Sequence, residues 1–274
     1  MSLFDVLAAK EEPEPEANPW AMLTLEPALW NVEKMFEAHR GGPIFPTTQV
    51  MLATPAYTNP SLEFLHSRDM VLADLVQHNV SAIVLTSPGD SLVMRGRHTL
   101  MHAFLCSTAT HLLFWDVDIE VTEPSIVRQM LGTGHDIVGG ACPFRDPNGR
   151  VVCNLREEDK RSRRLETDDF GCVKVSEVGT GFLLMSRKAI VRLCEAHPEL
   201  QYFSDLPSGF DEPMWALFDT MIVGKRFLSE DYFFCKLWRD LGGDVHVYVP
   251  FEAAHWGKTA YRANFMAAWK MKEA

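Results

Sequence analysis

The chain has 274 residues, a 47% hydrophobic fraction and a formal charge of −11 at pH 7. That length suits one large α/β domain or two small ones with an ample core, and no apolar run approaches a membrane span. The acidity argues against broad attraction to nucleic acid or anionic lipid. The six scattered cysteines, without a Cys-x-x-Cys pair, read as reduced cytoplasmic thiols rather than a disulfide frame or zinc site.

The start, MSLFDVLAAKEE, lacks the basic region of a secretory signal. Residues 10–19, KEEPEPEANP, read as an acidic, extended linker. Within residues 23–39 the stretch ALWNVEKMFEAH has helical spacing and suggests an N-terminal arm, broken by Gly41-Gly42-Pro43. The compact domain is expected from about Thr47. Residues 48–54, TQVMLAT, form a first strand, with Pro55-Ala56-Tyr57 as the loop at its carboxyl end. Asn59 and Pro60 are expected to cap and open a helix that runs to about Asn79. Its inward positions are Leu62, Phe64, Leu65, Val71, Leu72, Leu75 and Val76. A second strand covers 81–86. Asp90 then caps a helix that carries Arg95 and Arg97 near its start and turns Leu92, Val93, Leu100 and Phe104 inward.

The third strand, HLLFWDVDI over 111–119, is apolar enough for the centre of a parallel sheet. It ends in Asp116 and Asp118. In an extended chain, side chains two residues apart share a side, so both carboxylates are expected together at the carboxyl end of a central strand. That is where open α/β sheets bind their ligands. Two adjacent negative charges repel unless a cation lies between them, and a hard divalent ion held by oxygens resolves the conflict. Thr122-Glu123-Pro124 opens the next helix, and residues 136–140, DIVGG, make a fourth strand. The βαβαβαβ alternation predicts a parallel sheet with helices on both faces. With no Gly-x-Gly-x-x-Gly after the first strand and no Walker-type loop, any nucleotide phosphates are expected to be neutralised by metal.

The second half is less regular. Short strands at 151–153 and 172–175 flank a charged excursion, REEDKRSRRLETDD, expected to be a solvated loop, or a lid or acceptor patch offering Lys160, Arg161, Arg163 and Arg164. A strand over 178–185 begins with Gly179-Thr180-Gly181, where glycine permits close approach of the backbone to a ligand. Ser186 caps a helix over 187–196. Residues 202–224 are aromatic and loop-rich and could line an acceptor cleft. Ser229-Glu230-Asp231 opens a helix closed by Gly242 or Gly243, and the helix macrodipole alone accounts for acids at its start. A strand over 244–250 leads to His255-Trp256-Gly257, and an amphipathic segment over 261–272 ends the pattern. His102, His111 and His246 are read as structural.

The ordered set RGRHTLMHAFLCSTATHLLFWDVDIEV, DIVGGACPF, VGTGFLLMSRKAI, SEDYFFCKLWRDLGG and HWG resembles the GT-A-fold glycosyltransferases, and within them the compact forms of bacteria and their phages. The resemblance covers residues 47–258. It implies an α/β, Rossmann-like fold with a mixed, mostly parallel sheet flanked by helices. It also implies a nucleotide-sugar-binding half over 47–150 and an acceptor half over 151–258, between the arm and linker over 1–46 and a C-terminal segment over 259–274. Pro55, Ala56 and Tyr57 would hold the base and ribose of a UDP- or GDP-sugar. Arg97 would approach the diphosphate or the sugar. Where the family often has Arg-Asn this chain has Arg97-His98, so an amide contact is expected to be either missing or replaced. Asp116 would reach the ribose, or the metal through water. Asp118 and His255 would ligate Mn2+ or Mg2+ directly. Gly179, Thr180 and Gly181 would shape the sugar or acceptor pocket. Asp231, with Glu230 beside it, matches the base of inverting members. The acceptor is expected to be a glycan or a modified nucleic acid, and the setting the cytoplasm, that of the host if a phage encodes the chain. The alternatives are a nucleotidyltransferase on a similar sheet and a catalytically degenerate binding module.

Overall fold

The structure, a computed structural model, describes residues 48–205, 212–257 and 259–273. The expected N-terminal arm and linker lie outside the described residues. The first half runs β1 (Gln49–Ala56), α1 (Leu62–Gln77), β2 (Ser81–Pro88), α2 (Val93–Leu105), β3 (His111–Trp115), β4 (Ile119–Val121), α3 (Ile126–Gly132) and β5 (Ile137–Gly139). The second half runs β6 (Cys153–Asn154), α4 (Glu157–Ser162), β7 (Cys172–Val175), β8 (Glu177–Val178), β9 (Phe182–Ser186) and α5 (Arg187–Ala196). There follow β10 (Gln201–Tyr202), β11 (Met214–Trp215), β12 (Met221–Val223), β13 (Arg226–Leu228), α6 (Glu230–Asp240), β14 (Val245–Tyr248), β15 (Glu252–Trp256), β16 (Ala260–Asn264) and α7 (Phe265–Glu273).

Seven strands form one sheet in the order β2-β1-β3-β9-β5-β14-β7. β2, β1 and β3 pair in parallel, as do β5 and β14, while β9 and β7 run antiparallel to their neighbours. The sheet is therefore mixed and mostly parallel. Alternation along each strand sends side chains to opposite faces. Met51, Leu112, Phe114, Leu183 and Met185 pack with Leu100 and Phe104 of α2, Ile190 of α5 and Phe234 and Trp238 of α6. Val50, Leu52, Leu113, Trp115, Phe182 and Leu184 pack with Phe64, Val71 and Leu75 of α1 and Val127 and Met130 of α3. Both faces are covered, which is why β3 reads as an unbroken apolar run.

Several expectations shift at the ends of elements. β1 continues through Pro55 and Ala56, both buried, so only Tyr57 is in the loop. Ser61, not Asn59, caps α1. Its hydroxyl accepts from the Phe64 N–H at 3.0 Å, and its own N–H donates to the Val117 carbonyl at 3.0 Å, which ties the helix start to the Asp116–Ile119 turn. Leu62 and Val76 face solvent, as do Leu92 and Val93. Asp90 lies two residues before the α2 cap and accepts from the Leu92 N–H. The charged excursion holds a helix, α4, in which Arg156 pairs with Asp159 and Lys160 with Glu157, and Arg163 closes it in the left-handed region at φ 54°. The C-terminal segment divides into a strand, β16, and α7.

Candidate active site

The chain leaves β1 for a neighbour on one side, β2, and later adds β3 on the other, so the carboxyl ends of β1 and β3 frame a topological switch point, where such sheets open a crevice. A cleft of about 540 Å³ lies there, lined among others by Pro55, Ala56, Tyr57, Asp116, Asp118 and His255. Asp116 follows the last residue of β3, and its N–H donates to the Gly181 carbonyl at 3.0 Å. The strand then stops. Ile119 N–H donates back to the Asp116 carbonyl at 3.1 Å, so Asp116 to Ile119 is a turn and not extended chain. The expected side-by-side pair of carboxylates on one strand is thereby corrected. A turn aims the two acids into the same cleft and gives each its own basic neighbour.

Asp118 meets Arg145 in a close ion pair and faces His255, whose Nε2 is 3.5 Å from Asp118 Oδ1. The three-stranded sheet β16-β15-β4 explains why these distant residues meet, since β4 continues the turn and pairs His255 with Ile119. Trp256 N–H also donates to the Asp118 carbonyl at 2.7 Å. His255 is thus part of a strand rather than a loop. Its Nδ1 is 2.9 Å from the Pro143 carbonyl. A carbonyl there accepts a hydrogen bond from Nδ1–H and leaves the Nε2 lone pair facing Asp118, the arrangement that fixes metal-ligating histidines. Carboxylate oxygens with one imidazole nitrogen suit Mn2+ or Mg2+, and the Arg145 guanidinium already stands as a cation on Asp118. Asp118 and His255 would offer a divalent ion one oxygen and one nitrogen 3.5 Å apart.

Arg97 comes from α2 and is 2% exposed. Its Nη2 donates to Asp116 at 3.0 Å, and its Nε lies 4.0 Å from Glu230 Oε1. Nε and Nη1 are buried with no hydrogen-bond partner among the described residues. Unspent buried donors cost about 1–3 kcal/mol each, and an anionic oxygen would satisfy them. Burial pushes the Asp116 carboxyl above the ordinary aspartate range. Arg97 opposes that, and the charges of Asp118 and Glu230 add to it.

Asp231 lies in the first turn of α6, after the Ser229 cap residue. Ser229 Oγ donates to Asp231 Oδ1, and the Tyr232 N–H donates to the same oxygen at 2.8 Å. Oδ2 faces Gly179, where an added Cβ would sit 3.6 Å from it and 2.8 Å from Val152 Cγ1. Burial pushes the Asp231 carboxyl up to about 6, with Glu230 adding to the rise and Ser229 opposing it. Gly181 is needed for space rather than for a left-handed backbone, since a Cβ there would come 3.3 Å from Cys142 Sγ and 3.5 Å from Asp116 Oδ2.

Pro55, Ala56, Tyr57, Asp116, Asp118 and His255 therefore share the cleft wall. Arg97 and Glu230 stand behind Asp116. Asp231, Gly179, buried Thr180 and Gly181 form the seam beside them, outside the cleft lining. A second cavity of about 450 Å³, lined by Tyr232, Trp269, Arg150 and Asn154, shares Phe144 with the cleft. Arg145 and the Pro143 carbonyl escape the sequence reading. Their signal was their position a few residues after the DIVGG strand. No family model and no curated protein matches the sequence. Solved structures similar to this chain include the A197 protein from STIV, at 14% identity over 80% of this chain and 95% of that one, with a TM-score of 0.47. Others are the inositol-1-phosphate CTP transferase from T. maritima, at 12% identity over 75% and 86% with a TM-score of 0.37, and a glycosyltransferase involved in the glycosylation of the major capsid of PBCV-1, at 10% identity over 52% and 62% with a TM-score of 0.29.

Proposed function

We propose that the chain is a metal-dependent glycosyltransferase that moves a sugar from a UDP- or GDP-sugar to an acceptor hydroxyl. The observation that carries this reading is the buried Arg97. It reaches Asp116 of the turn on one side and Glu230 at the start of α6 on the other, so the metal-type donors and the Asp231 carboxylate belong to one framework. Asp118, His255 and Asp116 are the residues that would hold Mn2+ or Mg2+. When bound, the ion supplies charge neutralisation for the leaving diphosphate.

The remaining roles fall to side chains of the chain. Exposed Tyr57 offers a ring face for the base, with Pro55 and Ala56 as a rigid floor supplied by β1. Arg97 offers Nε and Nη1 to phosphate or sugar oxygens. Gly179 to Gly181 keep the seam beside Asp116 and Asp231 free of side-chain bulk at the two glycines. Asp231 Oδ2 takes the proton of the acceptor hydroxyl as its oxygen bonds to the anomeric carbon and the sugar–phosphate bond breaks, an inverting displacement. The adjoining cavity, with Phe144, Tyr232 and Trp269 beside Asn148 and Asn154, supports a glycan acceptor, since aromatic faces with a few polar groups suit a sugar ring. The net charge of −11 weighs against a nucleic-acid acceptor. A nucleotidyltransferase would want a basic, Gly-rich loop after β1, and the residues there are Tyr57-Thr58-Asn59-Pro60-Ser61.

The test is a thermal-shift panel of UDP, GDP, CDP and their sugars with and without Mn2+. A ligand specific for the native state raises its stability by mass action. A metal-dependent shift with one nucleotide class, followed by transfer from that sugar, is the expected result. No shift with any of them would support the degenerate module instead.

A further inference from the structure

A second group of metal-type donors lies away from the cleft. On α2, His98 and His102 are one turn apart, and Cys106, the residue that caps the helix, continues the stripe by another turn. The stripe faces the segment that carries β10 and β11. His98 contacts the Tyr202 hydroxyl at 3.1 Å and the Phe218 carbonyl at 3.0 Å. His102 and Cys106 both converge on Glu212. His102 Nε2 is 2.9 Å from Glu212 Oε2, Cys106 Sγ is 3.5 Å from His102 Nε2, and Sγ is 3.8 Å from the same Glu212 oxygen. His102 is 2% exposed and the Glu212 side chain 11%, whereas Cys106 keeps partial access to solvent.

We propose that His102, Cys106 and Glu212 form a zinc-type metal site that clips α2 to the strand segment beginning at residue 212. Zinc bond lengths of about 2.0–2.1 Å to nitrogen and oxygen and about 2.3 Å to sulfur, at tetrahedral angles, require ligand separations of about 3.3 Å for N to O, about 3.6 Å for N to S and about 3.5 Å for O to S. The three observed edges each lie within a few tenths of an ångström of those values. The donor set is N, S and O, softer than the oxygen-rich set in the cleft, so it selects zinc over magnesium or manganese. A neutral imidazole, a thiolate and a carboxylate balance the dication, which leaves a neutral buried centre. Binding expels the thiol proton to solvent, and water completes the coordination from the side of Cys106.

Another cluster, His135, Asp168 and Cys172, is less suited. Its His135 Nε2 and Asp168 Oδ2 are only 2.6 Å apart, further from the zinc-type separation than the His102–Glu212 edge, and the other Asp168 oxygen already accepts from the N–H groups of Phe170 and Cys172. The clip would join residues far apart in sequence, where a crosslink constrains the unfolded chain most. It would also fix the helix that carries Arg97. The inference does not depend on the function proposed for the cleft.

The experiment is cobalt titration of the full chain after chelation. A thiolate ligand gives an intense near-ultraviolet charge-transfer band that a site of oxygen and imidazole donors does not. The wild type is expected to develop the band with one equivalent of cobalt, C106S to lose it, and D118A, C142S and C172S to keep it. E212Q, which retains the thiol, is expected to bind cobalt more weakly by at least the 10–100-fold that even an outer-shell partner is worth. Circular dichroism establishes that each variant is folded, and E212Q decides the matter if C106S is not. A wild type without the band, a band that survives in C106S, or unchanged cobalt affinity in E212Q would overturn the proposal.

Discussion

Asp231→Asn is expected to make the protein more stable and much less active. Burial lifts the Asp231 carboxyl from an ordinary aspartate's 3.8 to about 6. The sign follows from linkage. At pH values below both figures the group is protonated folded and unfolded, and its ionisation costs the fold nothing. As the pH rises, the unfolded chain loses the proton first, and the folded state is penalised increasingly until its own carboxyl ionises near 6. Above that, the full penalty is present, of the order of 3 kcal/mol at about 1.4 kcal/mol per pH unit. Asparagine carries no charge, and its Oδ1 can still accept from Ser229 and the Tyr232 N–H. The variant should gain up to about 3 kcal/mol near pH 8, or about 6–10 °C in Tm for a domain of this size, and almost nothing near pH 4. Thermal melts of both proteins at the two pH values measure this. Transfer should drop by about 10²–10⁴-fold, the usual worth of a positioned base, while nucleotide binding holds, and wild-type turnover should fall as the pH drops below about 6. Equal melting temperatures at pH 8 would refute the buried carboxylate, and full activity would refute the base.

Asp118→Ala should abolish the Mn2+ dependence of nucleotide binding while the fold survives, as read by calorimetry with and without the metal. Arg145→Ala removes the cation that competes for Asp118 and should tighten Mn2+ binding severalfold, in keeping with the roughly 0.2–1 kcal/mol of an exposed ion pair; weaker binding would show that Arg145 serves the ligand instead. Gly140→Ala would drive a Cβ to 2.5 Å from the Phe251 ring, and urea melts should show a loss of about 1–3 kcal/mol from overpacking.

The alternation of apolar runs with capped helices made the layered α/β core legible, because β1, β3 and the faces of α1 and α2 obey simple periodicities. What stayed hidden was set by long-range pairing. The i, i+2 rule for Asp116 and Asp118 presumes an extended chain, but β3 ends at Trp115, whose indole Nε1 donates to the Ile119 carbonyl at 2.7 Å and helps to lock the turn. The antiparallel insertion of β9 between β3 and β5 left no local signature. Neither did the pairing of β15 with β4, by which His255 comes to Asp118, a meeting that only the family resemblance led one to expect. Arg145, 27 residues from Asp118, and Glu212, 110 residues from His102 and 106 from Cys106, belong to the same class.

The energetics separate two kinds of unfavourable group in the site. Arg97 keeps two buried donors unspent, and Asp116 is raised by burial and by its acidic neighbours. Both conflicts are of the kind a ligand would relieve, the first by anionic oxygens and the second by a cation. The penalty at Asp231 is of another kind, because Asp231 lies outside the cleft lining that holds Asp118 and His255. A carboxyl that ligand binding leaves destabilised gains nothing as a donor-binding group, but an affinity for protons close to neutrality is what a base needs. Groups whose instability persists through binding are the ones to assign to the chemical step, and by that criterion the proposed transfer would turn on Asp231.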